Sequence, residues 1–372
     1  MRPSRVFSIV GTRPEVIKMA PVIRALGREK GRFEHRVVTT AQHRQMLDQI
    51  MSAFDIEPDI DLGLMQHDQT LAGFASRSLR ELSDLFEREK PDCILVQGDT
   101  TTVMTAALAA FYNGVKVGHV EAGLRSFDRH NPFPEEINRR VAGCLADLHF
   151  APTELARRNL LREGVREEDV FVTGNTIVDA LLSIPLDGPF ADAALEDVDF
   201  GKGRKILVTA HRRENHGESL RSICRALKDI VAKYDDVEVI YPVHLNPNVR
   251  GPVREELAGV ARITLLEPAG YDDLLKLMKR SRLILTDSGG IQEEAPSFHK
   301  PVLILRELTE RPEVVEAGAG KIVGTDAARI VKETSLLLDD AAAYRAMAGV
   351  RNPFGDGHAA GRIADILARR LC

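Results

Sequence analysis

Two acidic side chains follow short apolar segments that are typical of buried β-strands. Asp99 lies in the sequence QGDTTT after the run Cys93–Gln97, and Glu121 directly follows the run Lys116–Val120. A carboxylate at the end of a parallel strand can reach a ligand and transfer a proton. Asp99 also fits the N-cap of the next predicted helix. Glu121 is harder to explain in that way, because an acid that ends an apolar strand needs a partner or a chemical task.

Two further acids begin the helix predicted from the sequence PFPEEINRR. Glu135 and Glu136 stand at its start and are candidates for the same proton-transfer chemistry. The spacing of Glu135 and Arg139 also permits an ordinary surface ion pair. Both interpretations stay open from the residues alone.

The second half of the chain places histidines after two of its apolar runs. His211 lies in TAHRREN, after Lys205–Thr209, and His244 lies in YPVHLNPNVR. A histidine at such a position can stabilise an anion or move a proton, or its hydrogen bonds can simply be satisfied at the strand end. The chain has neither an HExxH sequence nor a spaced Cys/His set, so no metal site is predicted.

The turn after the first predicted strand carries two basic residues. It reads GTRPEVIK, with Arg13 and Lys18 at the start of a predicted helix. A helix N-terminus and two cations suit a phosphate. The alternative is a plain turn with solvated basic residues. The turn lacks a GxGxxG sequence, and the second strand ends in TTAQ where a dinucleotide-binding fold places an acid, so NAD binding is disfavoured.

A glycine-rich turn, LTDSGGIQEE, follows a later strand. Ser288, Gly289 and Gly290 allow the backbone to approach an anion closely. One of the acids Glu293 and Glu294 suits the hydroxyl groups of a ribose, although a structural turn followed by ordinary helix N-terminal acids is the alternative. No GxxxxGK[ST] sequence exists, which excludes a P-loop nucleotide triphosphatase.

The elements that position these residues are Val- and Ile-rich runs that alternate with amphipathic segments. Uninterrupted apolar runs indicate a parallel sheet covered on both faces, so the predicted fold class is α/β. The predicted strands are Val6–Val10, Arg36–Thr40, Cys93–Gln97, Lys116–Val120, His149–Ala151, Val170–Thr173, Lys205–Thr209, Val237–Tyr241, Ile263–Leu266, Leu283–Thr286, Pro301–Leu305 and Ile322–Val323.

A weakly patterned stretch at 184–203 separates the two series of strands. This separation favours two doubly wound, Rossmann-like domains over one barrel. We place the domains at residues 1–175 and 176–357, followed by a C-terminal helix at 358–372. The cleft between two such domains is the default position for a ligand and an active site.

Composition excludes several classes of protein. The 372 residues are 44% hydrophobic and 28% charged, which suits a large core and not a disordered chain. A formal net charge of −5 gives no sign of a nucleic-acid partner. The four cysteines are far apart, and neither a signal peptide nor an apolar stretch of about 18 residues is present, so we expect a cytoplasmic protein with no membrane partner.

A series of motifs makes the chain resemble the non-hydrolysing UDP-N-acetylglucosamine 2-epimerase family. They occur in order along nearly the whole chain and include GTRPEVIKMAPVI, GDTTTVMTAALAAFY, VGHVEAGLRS, PFPEEINRR, TAHRREN and LTDSGGIQEEAPS. The resemblance implies two domains of the glycosyltransferase-B type, with the C-terminal helix returning to the first. It also implies reversible conversion of UDP-N-acetylglucosamine to UDP-N-acetylmannosamine with no cofactor, neither NAD nor a metal.

The residues fit this reaction independently of the resemblance. The proton at C2 of the sugar is not acidic, so inversion there needs either transient oxidation or loss of the group at C1. The missing dinucleotide-binding sequence disfavours oxidation. Elimination of UDP gives a 2-acetamidoglucal intermediate, to which UDP adds back after reprotonation on the other face. This route needs two proton-transfer groups and cations that stabilise the departing diphosphate.

The resemblance also implies roles for individual residues. The catalytic residues of the family match Asp99, Glu121, Glu135 and His211. Its contacts to the UDP-sugar match Arg13, Lys18, Ser288, Gly289, Gly290, Glu294 and Arg311. Its uracil-binding wall matches Pro268–Leu275, where Leu274 and the nearby aromatic Tyr271 are the candidates. A second, activating UDP-N-acetylglucosamine site of bacterial members matches Gln42, Gln45, Glu136, Arg212 and His244.

The resemblance further implies a homodimer whose small-molecule partners are UDP-N-acetylglucosamine and UDP. Three alternatives remain. A hydrolysing relative would release N-acetylmannosamine and UDP, a glycosyltransferase of the same fold would need an acceptor, and a nucleotide-sugar sensor would bind without turnover.

Overall fold

The apolar runs of the sequence form two parallel β-sheets in this computed structural model, which describes residues 2–40, 50–66, 69–195 and 198–372. The first unit, composed of Met1–Ser183 and Phe354–Cys372, contains one sheet, and the second unit, Ile184–Pro353, contains the other. The predicted α/β class with two doubly wound, Rossmann-like domains is confirmed.

The first sheet has the strand order β3-β2-β1-β4-β5-β6-β7, and all of these neighbours are parallel. Its strands are β1 (Ser4–Val10), β2 (Phe33–Thr39), β3 (Ile60–Asp61), β4 (Cys93–Gln97), β5 (Lys116–Val120), β6 (Leu148–Ala151) and β7 (Val170–Val172). The sequence did not predict β3, because two residues at a sheet edge leave no apolar run to recognise.

The second sheet has the order β10-β9-β8-β11-β12-β13, again with parallel neighbours. Its strands are β8 (Arg204–Thr209), β9 (Val237–Pro242), β10 (Ile263–Leu266), β11 (Leu283–Thr286), β12 (Val302–Ile304) and β13 (Gly320–Ile322).

Helices connect the strands in both units. They are α1 (Arg13–Arg28), α2 (Leu71–Glu89), α3 (Thr101–Tyr112), α4 (Glu135–Leu145), α5 (Glu154–Arg162), α6 (Thr176–Ser183), α7 (Glu218–Lys233), α8 (Pro247–Leu257), α9 (Tyr271–Arg280), α10 (Gly289–Glu294), α11 (Pro312–Glu316), α12 (Ala327–Asp339), α13 (Ala341–Ala348) and α14 (Ala359–Leu371). No helix in the part of the chain that the structure describes has the length and apolarity to cross a membrane.

The first unit ends later in the chain than the division that the sequence indicated after residue 175. The reason is α6, which packs against α1 and α14 inside the first unit. Asp179 of α6 accepts hydrogen bonds from the backbone N–H groups of Ala359 and Ala360 at the start of α14. These contacts attach the C-terminal helix to the first unit.

The central strands of each sheet are buried on both faces, which explains why they read as apolar runs in the sequence. All five residues of β4 are buried, and Phe7 and Ile9 of β1 pack with Val96 of β4 in one apolar cluster. Burying such side chains contributes about 1.5–3 kcal/mol each. A rigid sheet therefore supports the loops at its carboxyl edge.

In each sheet the strand order reverses beside the first strand of the unit. The reversal lies between β1 and β4 in the first unit and between β8 and β11 in the second. Ligands of open α/β sheets bind at the carboxyl ends of the strands at this position. The motifs GTRPE and GDTTT directly follow β1 and β4, and the motifs TAHRR and TDSGG begin at the last residues of β8 and β11.

Candidate active site

Glu121 is held in an unusual backbone conformation at the end of β5. Its φ angle is 64°, in the left-handed region that side-chain-bearing residues rarely adopt. Its carboxylate accepts hydrogen bonds from Lys18 Nζ, from Gln97 Nε2 and, at 2.9 Å, from Asn175 Nδ2. Three donors, one of them a cation, compensate the cost of burying this acid. Backbone strain that the surroundings maintain in this way points to a functional position.

Asp99 lies next to Glu121, at the end of the neighbouring strand. A Cβ atom added at Gly98 would lie 3.6 Å from Glu121 Oε2, so the two loops are in contact. The carboxylate of Asp99 binds Arg139, which donates from Nε at 3.1 Å and also from Nη2. Thr100, not Asp99, is the N-cap of α3, since its Oγ1 accepts from the N–H of Val103. The N-cap interpretation of Asp99 is therefore wrong.

The acids at the start of α4 have different environments. Glu136 is fully buried and accepts hydrogen bonds from the backbone N–H groups of Ser126 and Phe127. Arg139 Nη1 donates to Glu136 Oε2 at 3.1 Å. Arg139 therefore pairs with Asp99 and Glu136, and the surface ion pair between Glu135 and Arg139 that the spacing permits is not among its contacts. Glu135 itself is half-buried.

The turn after β1 contains a buried acid that the sequence motifs did not indicate. Glu15 is buried, and its carboxylate accepts hydrogen bonds from the N–H of Gly11 at 2.6 Å and the hydroxyl of Thr12 at 3.0 Å. Burial raises the pKa of Glu15 to about 7, against the opposing effect of hydrogen bonds from Thr100, Gly11 and Thr12. The turn thus already satisfies the Gly11 N–H, and Arg13 is the group it can offer a phosphate.

In the second unit, Asp287 organises the loop that carries His211. Asp287 is fully buried after β11, and its Oδ2 accepts from the N–H groups of His211 and Arg212, both at 2.8 Å, and from Asn215 Nδ2 at 2.9 Å. Its Oδ1 lies 3.4 Å from His211 Nδ1. The sequence analysis missed Asp287, although an acid directly after an apolar strand was the signal that identified Glu121.

His211 stacks on His244. The ring centroids are 5.5 Å apart and the ring planes differ by 14°. His244 is oriented by Asn246, whose N–H donates to His244 Nδ1 at 3.1 Å. Burial lowers the pKa of His211, and the charge of Asp287 acts in the opposite direction. The loop after β8 therefore carries an imidazole on whose protonation burial and the charge of Asp287 have opposite effects.

The glycine turn after β11 lies close to this loop. A Cβ atom at Gly289 would lie 3.6 Å from Arg212 Nη2, and Arg212 Nη2 lies 3.6 Å from Glu310 Oε2. Ser288 precedes the first residue of α10, where the initial N–H groups of a helix have no intrahelical partner. The turn thus combines the start of a helix with a nearby cation.

The two acids of α10 have separate partners. Glu293 binds Arg311 through Nε, and Glu294 Oε1 accepts a hydrogen bond from the hydroxyl of Tyr271 at 2.8 Å. Tyr271 is buried at the start of α9, and Leu274 is half-buried one turn later. Glu293 thus contacts an arginine, and Glu294 contacts a tyrosine hydroxyl.

The predicted residues fall into two groups, one in each unit. The first unit contains Arg13, Lys18, Asp99, Glu121, Glu135 and Glu136, and the second contains His211, Arg212, His244, Tyr271, Leu274, Ser288, Gly289, Gly290, Glu294 and Arg311. Gln42 and Gln45 lie outside the described residues. Within the described ranges, no group of three or more His, Cys, Asp or Glu residues is arranged to hold a metal ion.

Residues 24–368 match the protein family described as UDP-N-acetylglucosamine 2-epimerase. The chain belongs to this family. It is 49% identical over 370 residues to the UDP-N-acetylglucosamine 2-epimerase of Escherichia coli K12, in an alignment that covers 98% of each chain. It is also 49% identical over 367 residues to the Bacillus subtilis enzyme of that name, which covers 99% of this chain and 96% of the other.

Solved structures of epimerase-family members have the same fold. The UDP-GlcNAc 2-epimerase of Neisseria meningitidis, bound to UDP-GlcNAc, is 44% identical with a TM-score of 0.90 and covers 98% of this chain and 100% of its own. A UDP complex from S. aureus is 46% identical with a TM-score of 0.90 and covers 99% of this chain and 97% of its own. The glycosyltransferase-B type of architecture expected for the epimerase family is confirmed by these matches.

Proposed function

We propose that this family member interconverts UDP-N-acetylglucosamine and UDP-N-acetylmannosamine without net hydrolysis. The observation that carries the proposal is Glu121, a buried acid in a left-handed conformation that binds Lys18 and lies against the loop of Asp99. A relative with a near-complete match was solved with UDP-GlcNAc bound. An acid, a cation and a second acid at the carboxyl edge of a parallel sheet supply the groups that proton exchange at a sugar carbon requires.

The proposed reaction proceeds by elimination and re-addition. One carboxylate removes the proton from C2, the C2–H electron pair forms the C1–C2 double bond, and the C1–O bond breaks with its electron pair leaving on UDP. The product is 2-acetamidoglucal. A proton is then delivered to the opposite face of C2, and the UDP oxygen forms the new bond to C1. Atoms and charge balance with no other reactant.

The acids of the first unit are assigned to proton transfer as a set. Asp99, Glu121 and Glu135 provide more than one carboxylate, which a two-face mechanism needs. Asp99 forms an ion pair with Arg139, and Glu121 forms one with Lys18. These cations compensate part of the cost of burying the two acids in the site.

The second unit is assigned to the nucleotide. The glycine turn suits the diphosphate through Ser288, Gly289 and Gly290. Arg212 and His211 lie in the loop after β8, and Arg212 is adjacent to the turn. Glu294 suits the ribose diol, since Tyr271 holds the carboxylate in place from α9. Leu274 on the same helix is the apolar candidate for the uracil wall. Arg13 of the first unit is assigned to the UDP-sugar as a cation.

A deuterium experiment tests the function. The protein is incubated with UDP-N-acetylglucosamine in deuterated water, and the products are separated and analysed by proton NMR and mass spectrometry. The proposal predicts a UDP-linked epimer with one deuterium at C2. Free N-acetylmannosamine and UDP as sole products would show a hydrolase. Unexchanged substrate with an acceptor requirement would show a transferase, and binding without turnover would show a sensor.

We also propose that UDP-N-acetylglucosamine activates the enzyme at a second site that includes Gln42, Gln45, Glu136, Arg212 and His244. We further propose that the active form is a homodimer and that it works in the cytoplasm. The four free cysteines suit a reducing compartment. The reverse reaction started from pure UDP-N-acetylmannosamine should show a lag that a trace of UDP-N-acetylglucosamine abolishes. Full initial velocity without the trace would contradict activation.

Light scattering during gel filtration measures the mass of the protein in solution and so tests the homodimer.

A further inference from the structure

The two oxygen atoms of Asp287 have different tasks. Oδ2 accepts hydrogen bonds from the backbone N–H groups of His211 and Arg212 and from Asn215 Nδ2, and so fixes the loop after β8. Oδ1 is buried without a hydrogen-bond partner among the described residues and lies 3.4 Å from Nδ1 of His211. A buried carboxylate oxygen without a donor is costly, so the adjacent ring nitrogen is its natural partner.

We propose that Asp287 is the positioning residue of His211: its Oδ1 takes the Nδ1–H of the ring and thereby makes Nε2 the nitrogen that meets the ligand. The carboxylate would act through the imidazole and would not touch the substrate. This inference rests on the proposed function, because it explains how His211 of that same site is oriented.

Anchoring of the backbone and orientation of the ring come from one side chain. The 2.8 Å hydrogen bond from the His211 N–H to Oδ2 fixes the backbone position of His211. The contact of Oδ1 with Nδ1 fixes the orientation of the imidazole ring, so that Nε2 is the nitrogen that faces the ligand. Stacking on His244 restricts the plane of the ring. The imidazole is thus constrained in position, plane and tautomer before any ligand binds, which reduces the cost of ordering it during the reaction.

Asp287 also sets how His211 responds to a bound anion. Burial lowers the pKa of His211, Asp287 raises it, and His244, Arg212 and His216 lower it. Asp287 is the anion of this set and so opposes the burial effect. A diphosphate would add negative charge on the other side of the ring. We therefore expect His211 to take up a proton when UDP binds, and Asp287 to stabilise the resulting imidazolium.

The first measurement reads the tautomer of His211 directly. The protein is labelled with ¹⁵N-histidine, and the His211 signals are assigned by comparison with a His211→Gln variant, since the chain has 11 histidines. At a pH where the ring is neutral, the proposal predicts a protonated Nδ1 and an unprotonated Nε2. An unprotonated Nδ1 in the wild-type protein would overturn it, and this readout needs no variant of Asp287.

Two variants separate positioning from support of the fold. In Asp287→Asn the amide oxygen can still accept from the loop, but the amide nitrogen donates to Nδ1, so the tautomer should reverse and the pKa of His211 should fall. Asn215→Ala is the control, because it removes a donor to Oδ2 and leaves Oδ1 unchanged. It should keep the wild-type tautomer and pKa. The same tautomer in Asp287→Asn as in the wild type would overturn the proposal.

Kinetics completes the test. We expect Asp287→Asn to lower kcat by about 10²-fold or more. In a plot of kcat against pH, the limb that reports the protonation of His211 should move to lower pH. Asn215→Ala should retain the wild-type limb even if its stability falls. An unchanged limb in a folded Asp287→Asn protein would contradict the proposal. If the proposed function is wrong, the C2 exchange of the wild type fails while the tautomer result stands.

Discussion

Asn175 Nδ2 lies 2.9 Å from Oε1 of Glu121, the same oxygen that accepts the hydrogen bond from Lys18. Asn175 follows β7 and Lys18 lies in α1, so two separate segments of the first unit converge on one carboxylate oxygen. This convergence fixes the position of the Glu121 carboxylate at the end of β5. It also makes Asn175 a residue through which the acid can be perturbed without being removed.

Glu121→Gln should lower kcat by about 10²-fold or more, because an amide cannot transfer the C2 proton. Asn175→Ala should have a smaller effect, about tenfold, since it deletes one hydrogen bond to a charged acceptor. Steady-state assays of both variants check this order. Asn159→Ala is the matched control, because this buried asparagine donates to the backbone oxygen of Gly123 and not to an acid. Wild-type turnover in Glu121→Gln would remove Glu121 from the mechanism.

Asp99→Asn should also cost about 10²-fold or more in kcat. The substitution keeps the size of the side chain and its contact with Arg139 but removes the ionisable oxygen. Arg139→Lys should give an intermediate loss, since lysine cannot reproduce the two-point contact of the guanidinium. Rates are compared after urea unfolding shows that each variant is folded. Full activity in Asp99→Asn would limit the proton-transfer set to Glu121 and Glu135.

The buried histidines of the first sheet predict a loss of stability in acid. Nε2 of His119 donates to the Gly98 carbonyl oxygen at 2.8 Å, and burial lowers the pKa of His119 and that of His149 to about 4. The unfolded chain has ordinary histidine pKa values near 6.5. Between pH 6.5 and about 4 the unfolded state therefore binds protons that the folded state does not, and stability falls as pH falls.

Urea unfolding midpoints at a series of pH values across that range measure the effect. His119→Gln can keep the hydrogen bond to Gly98 but cannot gain a charge, so its midpoint should vary less with pH than that of the wild type. His299→Gln is the control, because this histidine is exposed and lies in the second unit. Equal pH dependence of the wild type and His119→Gln would contradict the assignment.

Tyr271→Phe should weaken UDP binding about tenfold, because Glu294, which we propose binds the ribose, loses the hydrogen bond from the Tyr271 hydroxyl. Titration calorimetry with UDP measures the change. Tyr234→Phe provides the control, since the Tyr234 hydroxyl donates to Asp339 at an exposed position of the same unit. UDP affinity that is the same in all three proteins would show that the Tyr271 hydrogen bond has no part in nucleotide binding.

The fold was predictable where a strand is buried on both faces. β4, β5 and β11 begin and end at the predicted residues, because a buried apolar run has only one place in a parallel sheet. The edge strand β10 also has its predicted bounds, although it is only partly buried. The short edge strand β3 carries no such pattern. The extent of the first unit was not predictable either, since α6 belongs to it through packing against α1 and α14, which periodicity does not encode.

The places of the candidate residues in the fold were predictable from the sequence, and their hydrogen-bond partners were not. Asp99, Glu121 and His211 follow strands, and parallel topology alone places strand ends at one edge of each sheet. Their partners are distant in sequence: Arg139 is 40 residues from Asp99, Asn175 is 54 from Glu121, and Asp287 is 76 from His211. Such contacts depend on how loops pack on the sheet, and sequence spacing carries no signal for them.

The departure of UDP is the central chemical claim, and an isotope measurement tests it most directly. UDP-N-acetylglucosamine carrying ¹⁸O in the oxygen that bridges C1 and the β-phosphorus is incubated with the protein, and ³¹P NMR follows the label. If the C1–O bond breaks, the freed β-phosphate rotates before UDP adds back, so we predict that the label spreads to the non-bridging positions. Epimerisation with all of the label still in the bridge would contradict the account.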